Sequence, residues 1–79
     1  MKVRVDITRR EGLSDPEGMT THRALSELGF SVDDVHFGRS IYLDVTGTDE
    51  ADVISQVEAM CAKLLANPVM EDYSIHVLD

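Results

Sequence analysis

The residues with the chemistry for catalysis or metal binding are few and scattered along the chain. The 79-residue sequence has one cysteine and three histidines. Cys61 lies in the apolar stripe of a predicted helix, where a lone cysteine packs as a small hydrophobic residue, and no base is placed beside it. The histidines fall on three different predicted elements, so they lack the convergent spacing of a metal site. They are His22, His36 and His76.

Acidic pairs are more numerous, but each lies at the end of a predicted element. Turn and capping roles explain Asp33-Asp34, Asp49-Glu50 and Glu71-Asp72 better than acid–base catalysis does. The segment REGLSDPEG contains two glycines but lacks the spacing and the lysine of a phosphate-binding P-loop. We therefore predict a domain with no catalytic residues and with no metal or cofactor bound by this chain.

The charge of the chain argues against two classes of partner. The formal net charge is −8 at pH 7, whereas nucleic acids and anionic membranes are bound through clustered Lys and Arg. No segment approaches the roughly 20 apolar residues of a membrane span, and MKVRVDI does not resemble a signal peptide. A single cysteine cannot form an intrachain disulfide and suits a reducing compartment. We expect a cytoplasmic protein that binds neither nucleic acid nor membrane.

In the first half of the chain the sequence pattern predicts a strand, a loop and a helix. Apolar residues alternate with polar ones over residues 2–8, which is the pattern of a half-buried strand. After a loop over residues 9–18, Asp15 is expected to cap the helix and Pro16 to occupy its first position. Gly29 is expected to end this helix in a left-handed conformation.

The second half predicts a hairpin, a second helix and a last strand. The segment VHFGRSIYLDV, residues 35–45, alternates on both sides of a reversal near Gly38 and Arg39. A three-and-four spaced apolar stripe then predicts a helix that begins at Thr48. This helix must stop at Asn67-Pro68, because proline cannot continue it and disfavours the helical region for the residue before it. Residues 73–77 alternate again as the last strand.

The element order βαββαβ predicts an α+β, ferredoxin-like sandwich formed by one domain, residues 1–79. We expect a four-stranded antiparallel sheet with the first and third strands central and both helices on one face. Both edge strands would offer unpaired backbone groups, so we expect the chain to dimerise through an edge.

The loop after the first strand is the most unusual surface in so acidic a chain. It combines Arg9 and Arg10 with backbone that we expect to be exposed at Gly12 and Gly18. Two readings remain open: a solvated loop, or a site for the carboxylate or phosphate of a partner.

Four segments of the chain resemble one known family. RREGLSDPEG, RALSELGF, VHFGRSIYLDV and MCAKLLANPVMEDY are similar, in register over nearly the whole chain, to the PurS subunits of phosphoribosylformylglycinamidine synthase. The resemblance implies a small non-catalytic subunit of a purine-synthesis ligase, which acts as a homodimer or a homotetramer. It implies two further partners, the glutaminase PurQ, which releases ammonia, and the synthetase PurL, which uses ATP and magnesium to convert formylglycinamide ribonucleotide (FGAR) to its amidine (FGAM). The small subunit would bridge the two and support ammonia transfer.

The same resemblance, together with the exposed loop, predicts the residues of the subunit contacts. For Asn67 and Pro68 we expect two roles, as the helix stop and as a shaped corner facing a neighbouring subunit. The predicted contact residues are Arg9, Arg10, Gly12, Asp15, Pro16, Arg39, Asn67 and Pro68.

A second function remains open on fold grounds. ACT-like regulatory domains share the βαββαβ order and bind amino acids at dimer interfaces, and fold alone does not determine function. The ending LLANPV argues against this alternative, since ACT-like domains lack it. A third reading, a general oligomeric scaffold, predicts no link to glutamine.

Overall fold

The computed structural model describes residues 1–79 and has three strands and two α-helices in the α+β class. The strands form one antiparallel sheet in the order β2-β1-β3. A π-helical turn continues the second helix. The elements are β1 (Lys2–Arg9), α1 (Pro16–Glu27), β2 (Gly38–Asp44), α2 (Glu50–Met60), the π-turn (Cys61–Leu65) and β3 (Glu71–Val77).

The core lies between one face of this sheet and α2. On the central strand Val5 stands opposite Ile41 of β2 and Ile75 of β3, so alternate residues of all three strands point to the same face. The side chains of β1 on this face are completely covered, whereas those of the two outer strands are half-buried. The buried core consists of Val3, Val5, Ile7, Val45, Val53, Val57, Cys61 and Ala66.

The predicted four-stranded sheet is wrong, because the first arm of the predicted hairpin is not a strand. Residues 31–37 form no ladder, and the sheet has three strands with only β1 in the centre. The backbone N–H of Val35 donates to the carboxylate of Asp34 (3.0 Å), and that of Phe37 donates to the carboxylate of Asp15 (2.8 Å). Carboxylates that bind nearby backbone donors compete with strand pairing, and here they replace it.

The expectation that both helices cover one face of the sheet is wrong for α1. No residue of α1 belongs to the core or to the half-buried apolar side chains packed against it. The only buried residue of α1 is Gly18, at its first turn, so the expectation that its backbone is exposed is wrong. The first helix therefore contacts the rest of the chain mainly at its first turn, and the remainder of the helix does not pack on the sheet.

The predicted ends of α1 are confirmed. The Asp15 carboxylate accepts a hydrogen bond from the Gly18 backbone N–H (2.9 Å), and Pro16 occupies the first helical position. At the other end Gly29 has φ 95°. There Phe30 N–H donates to Leu25 C=O (3.0 Å), which is one of the two bonds of a Schellman cap.

The predicted stop of the second helix is also confirmed. Ala66 leaves the helix with an extended backbone (φ −127°, ψ 151°), directly before Asn67-Pro68. The turn that follows is closed by bonds from the N–H groups of Met70 and Glu71 to Asn67 C=O (3.2 and 2.8 Å). Neither the helices nor their π-helical extension combine the length and apolarity that a bilayer crossing needs.

Candidate subunit-contact site

The end of β1 is tied to the proline corner that follows the second helix. The Arg10 backbone N–H donates to Met70 C=O (2.9 Å), and its guanidinium donates to Pro68 C=O (2.7 Å). The same guanidinium lies 3.4 Å from the Asp72 carboxylate. The structure thus brings Arg10 together with the Asn67-Pro68 corner, 58 residues further along the chain.

Arg39 spans the sheet from one outer strand to the other. It stands on β2 and donates two hydrogen bonds to the carboxylate of Glu71 on β3 (2.6 and 3.1 Å). Its guanidinium also donates to Leu65 C=O (2.9 Å). That carbonyl lies in the last turn of the helix, where the C=O groups have no intrahelical N–H donor. Arg39 therefore supplies the missing hydrogen bond to Leu65 C=O, and through Glu71 it also links both outer strands to the helix end.

Glu71 is the centre of this arrangement. Its carboxylate accepts from Arg39 and also from the backbone N–H of Asn67 (2.8 Å). The hydrogen bonds from Arg39, and then the one from Asn67, lower the pKa of Glu71 from 4.5 to about 2. Arg39, Asn67 and Glu71, with Arg10 and Pro68, are referred to below as the corner cluster.

Asp15 joins the start of α1 to the segment before β2. One carboxylate oxygen accepts from Gly18 N–H and the other from Phe37 N–H. These bonds, first that from Phe37 and then that from Gly18, lower the pKa of Asp15 below its ordinary value. Asp15 therefore has a structural role, because both oxygens of its carboxylate are hydrogen-bonded to backbone N–H groups of the same chain.

Two clefts border these residues, and Arg9 lines both of them. The first, about 410 Å³, lies between the start of α1 and the Arg39–Glu71 pair. The second, about 460 Å³, lies along the loop that contains Arg10 and Gly12. Arg9 is exposed and forms no ion pair within the chain, which leaves its guanidinium available.

The eight predicted contact residues are neighbours in the folded chain, though in different environments. Arg9 and the loop at Gly12, which has φ 85°, are exposed. Asp15 is buried and Pro16 begins α1 beside it. Arg10, Arg39, Asn67 and Pro68 belong to the corner cluster.

Sequence reasoning missed the role of Glu71. It was expected to be a turn or capping residue, and its bond to Asn67 N–H fits that expectation. Its ion pair with Arg39 depends on a separation of 32 residues. The signal in the sequence was an acidic residue four positions after Asn67, close enough to accept a hydrogen bond from the backbone at the predicted end of the helix.

The histidines and the cysteine do not converge. His22 is bonded to Val32 C=O (2.7 Å), His36 to Asp34 (2.8 Å), and His76 lies 3.3 Å from Asp6. No group of three or more His, Cys, Asp or Glu side chains is arranged to hold a metal ion. Cys61 is fully buried, and this burial raises the pKa of its thiol.

Comparison with known proteins gives a consistent result over nearly the full length. The family model described as PurS, phosphoribosylformylglycinamidine (FGAM) synthase, matches residues 2–79. The subunit PurS of this synthase from Methanocaldococcus jannaschii is 46% identical over 77 residues, which cover 96% of this chain and 93% of the relative. The Bacillus subtilis PurS subunit is 38% identical and covers 96% of this chain and 90% of its own.

Solved structures agree with these sequence relatives. The crystal structure of M. jannaschii PurS, a subunit of formylglycinamide ribonucleotide amidotransferase in the purine biosynthetic pathway, superposes with a TM-score of 0.85 at 43% identity, covering 95% of this chain and 92% of that one. A chain in the structure of PurLQS from Thermotoga maritima gives 0.89 at 35% identity, covering 98% and 95%. These matches do not favour the ACT-like alternative. This chain belongs to the PurS family of phosphoribosylformylglycinamidine synthase subunits.

Proposed function

We propose that this chain is the small non-catalytic subunit of an FGAM synthase, that it acts as a homodimer or homotetramer, and that it couples a PurQ glutaminase to a PurL synthetase in the cytoplasm. The observation that carries the proposal is the likeness, with a TM-score of 0.89, to a chain in the structure of PurLQS. A subunit that works by bridging needs a rigid surface of defined shape, and it needs no nucleophile or metal of its own.

The corner cluster supports this role because it makes the predicted contact surface rigid. The ion pair between Arg39 and Glu71 connects both outer strands, and Arg39 also holds the helix end through Leu65 C=O. Arg10 fixes the loop after β1 to Pro68. A preorganised surface loses less conformational entropy when it binds a partner.

Arg9 is the residue best suited to direct contact with another subunit. It has no ion-pair partner within the chain, whereas Arg10 and Arg39 are engaged by Asp72 and Glu71. A free guanidinium can form a bidentate pair with a carboxylate of the partner. Arg10 and Arg39 then act mainly by holding the surface in shape.

The chemistry of ammonia explains why the enzyme would use such a subunit. At neutral pH free ammonia is mostly protonated and is then not a nucleophile, so a shielded route from the glutaminase to the synthetase prevents its loss. In this proposal ATP and magnesium are bound by the synthetase, and this chain binds neither.

The test compares two nitrogen sources in an assay of amidine formation. Purified synthetase and glutaminase from the same organism are supplied with glutamine or with an ammonium salt, each with and without this chain. We expect the chain to raise the glutamine-driven rate and to leave the ammonium-driven rate unchanged. If neither rate responds to the chain, the coupling role is refuted.

A matched pair of variants tests the contact surface. Arg9→Ala should weaken assembly with the other two subunits about 10-fold or more, because an interfacial guanidinium loses its charge-assisted hydrogen bonds. Lys63→Ala is the control, since Lys63 is exposed on the π-turn and forms no ion pair. Equal affinity of both variants, measured by titration of the complex, would exclude Arg9 from the contact.

A further inference from the structure

The two clefts beside Arg9 meet and form one groove. Arg9, Asp15 and Phe37 line both of them. From these residues the first cleft continues to the start of α1, and the second continues along the loop to Leu13. Each cleft alone, at about 410 and 460 Å³, is as large as a small-molecule site. The joined groove therefore has room for a segment of several residues.

The walls of this groove are held in place by bonds within the chain. Leu13 N–H donates to Arg10 C=O (3.2 Å), and Gly12 has φ 85°, so the loop forms a tight turn. Arg10, the first residue of the turn, belongs to the corner cluster. Phe37 is fixed through its backbone N–H, which donates to Asp15 (2.8 Å). A groove with fixed walls loses little conformational entropy when a ligand fills it.

The loop side of the groove offers apolar contacts and free backbone donors. Leu13 and Phe37 are each 40% exposed. The backbone N–H groups of Glu11 and Gly12 donate to no acceptor within the chain. No atom lies within 4 Å of the position that a Cβ would take at Gly12, so the backbone there is open to approach. Free donors beside apolar side chains suit an extended peptide, which brings carbonyl groups and side chains together.

Three unpaired charges follow one another along the groove. Arg9 lines both clefts, whereas Glu11 lines only the second and Glu17 only the first. None of the three forms an ion pair within the chain. The free charges therefore alternate as negative, positive, negative. The other carboxylates of the groove are already hydrogen-bonded or paired; they are Asp15, Glu71 and Asp72.

We propose that the groove binds an extended segment of the synthetase or glutaminase subunit in which an acidic residue lies between two basic ones. The acidic side chain pairs with Arg9, and the basic side chains pair with Glu11 and Glu17. An apolar neighbour of the acidic residue packs against Phe37. Such alternation of charge selects the correct partner, because a segment with the opposite pattern brings like charges together at three points.

The inference rests on the proposed function, since it requires a partner subunit, and it adds the chemistry by which that partner is recognised. A second copy of this chain is a poor source of the segment, because the chain has 15 acidic residues and only 7 basic ones. The basic flanks of the segment also suit the net charge of −8 on this chain.

Charge reversal tests the pattern, with affinity measured by titrating the chain into purified synthetase and glutaminase at one ionic strength. Arg9→Glu should weaken binding about 30-fold or more, and Glu11→Lys and Glu17→Lys about 5-fold or more each, because every reversal replaces an attraction by a repulsion. The first change makes the chain more negative and the other two make it less negative. An effect of net charge alone would therefore move the affinities in opposite directions.

Glu58→Lys is the matched control, since Glu58 is exposed on α2, forms no ion pair and lines neither cleft. Its affinity should stay within about 2-fold of that of the unmodified chain. Glu17 lies in the first turn of α1, where a negative charge stabilises the helix. Glu17→Gln, which removes the charge without reversing it, should still weaken binding about 2-fold or more. Glutamate variants that bind as tightly as the control would overturn the proposal.

Cross-linking identifies the bound segment. A photoreactive amino acid is placed at position 13 of the chain in the assembled complex, and the cross-linked peptides are analysed by mass. We expect a peptide of the synthetase or glutaminase with an acidic residue between two basic ones. Cross-links to a second copy of this chain, or to a segment without basic residues, would contradict the proposal.

The coupling assay separates the two possible failures. If the unmodified chain raises the glutamine-driven rate while the groove variants bind like Glu58→Lys, the recognition pattern is wrong and the coupling role stands. If the unmodified chain binds neither purified subunit, both are overturned.

Discussion

Replacing Glu71 with glutamine removes one negative charge from the corner cluster while keeping the size of the side chain. The carboxylate accepts two hydrogen bonds from Arg39 and one from Asn67 N–H. Glutamine retains a single acceptor oxygen and no charge. The variant therefore weakens the connection between the outer strands and the helix end without creating a cavity.

The magnitude follows from the pKa and from exposure. A carboxyl whose pKa falls from 4.5 to about 2 gains about 3 kcal/mol of folding free energy if the whole effect is realised. The Arg39 side chain is 51% exposed, so screening by water reduces this gain, and we expect Glu71→Gln to cost about 1–2 kcal/mol. For a domain of this size that loss lowers Tm by about 5–15 °C.

The pH dependence provides an independent check. Because the pKa of Glu71 is lower in the folded chain than in the unfolded one, its stabilisation is complete above about pH 4.5 and is lost as the pH falls towards 2. The unmodified chain should thus lose its advantage over Glu71→Gln across this interval. Denaturant unfolding followed by circular dichroism, at one fixed protein concentration, measures both effects.

Glu11→Gln is the control, because Glu11 is exposed and its carboxylate forms no ion pair. It should change stability by less than about 0.5 kcal/mol. If Glu71→Gln is as stable as this control at pH 7, or if its deficit persists unchanged at pH 2, the structural role of the ion pair is refuted.

Two further predictions concern buried positions. Gly18→Ala should destabilise the chain by about 1–3 kcal/mol, because a Cβ there would clash with the backbone carbonyl oxygen of Val35. A rise in Tm, which helix propensity alone predicts for this substitution, would contradict the packing. The Cys61 thiol is fully buried and its pKa is raised, first by burial and then by Glu58, so an aromatic disulfide reagent at pH 8 should label it at least about 100-fold more slowly in the folded than in the unfolded chain. Equal labelling rates would show that the helix–sheet core opens readily.

The family assignment depended on local sequence, since PurS-like segments could be recognised without any knowledge of the three-dimensional contacts. Several structural features were equally local. Asp15-Pro16 determines the start of α1, and Asn67-Pro68 determines where the second helix ends, because capping and the loss of a backbone donor act within a few residues. The alternation in β1 likewise predicts the central strand and its buried face.

Features that depend on distant partners were decided only by the tertiary structure. Residues 35–37 alternate as a strand does, but Asp15, more than 20 residues earlier, takes the Phe37 N–H and removes it from pairing. Glu71 becomes the centre of a site only because folding places it beside Arg39. The position of α1 away from the sheet has no local signal either, because the sequence of a helix does not determine which surface lies against it. Periodicity determines which side of a helix is apolar, and the surface that covers that side is determined by the assembled fold.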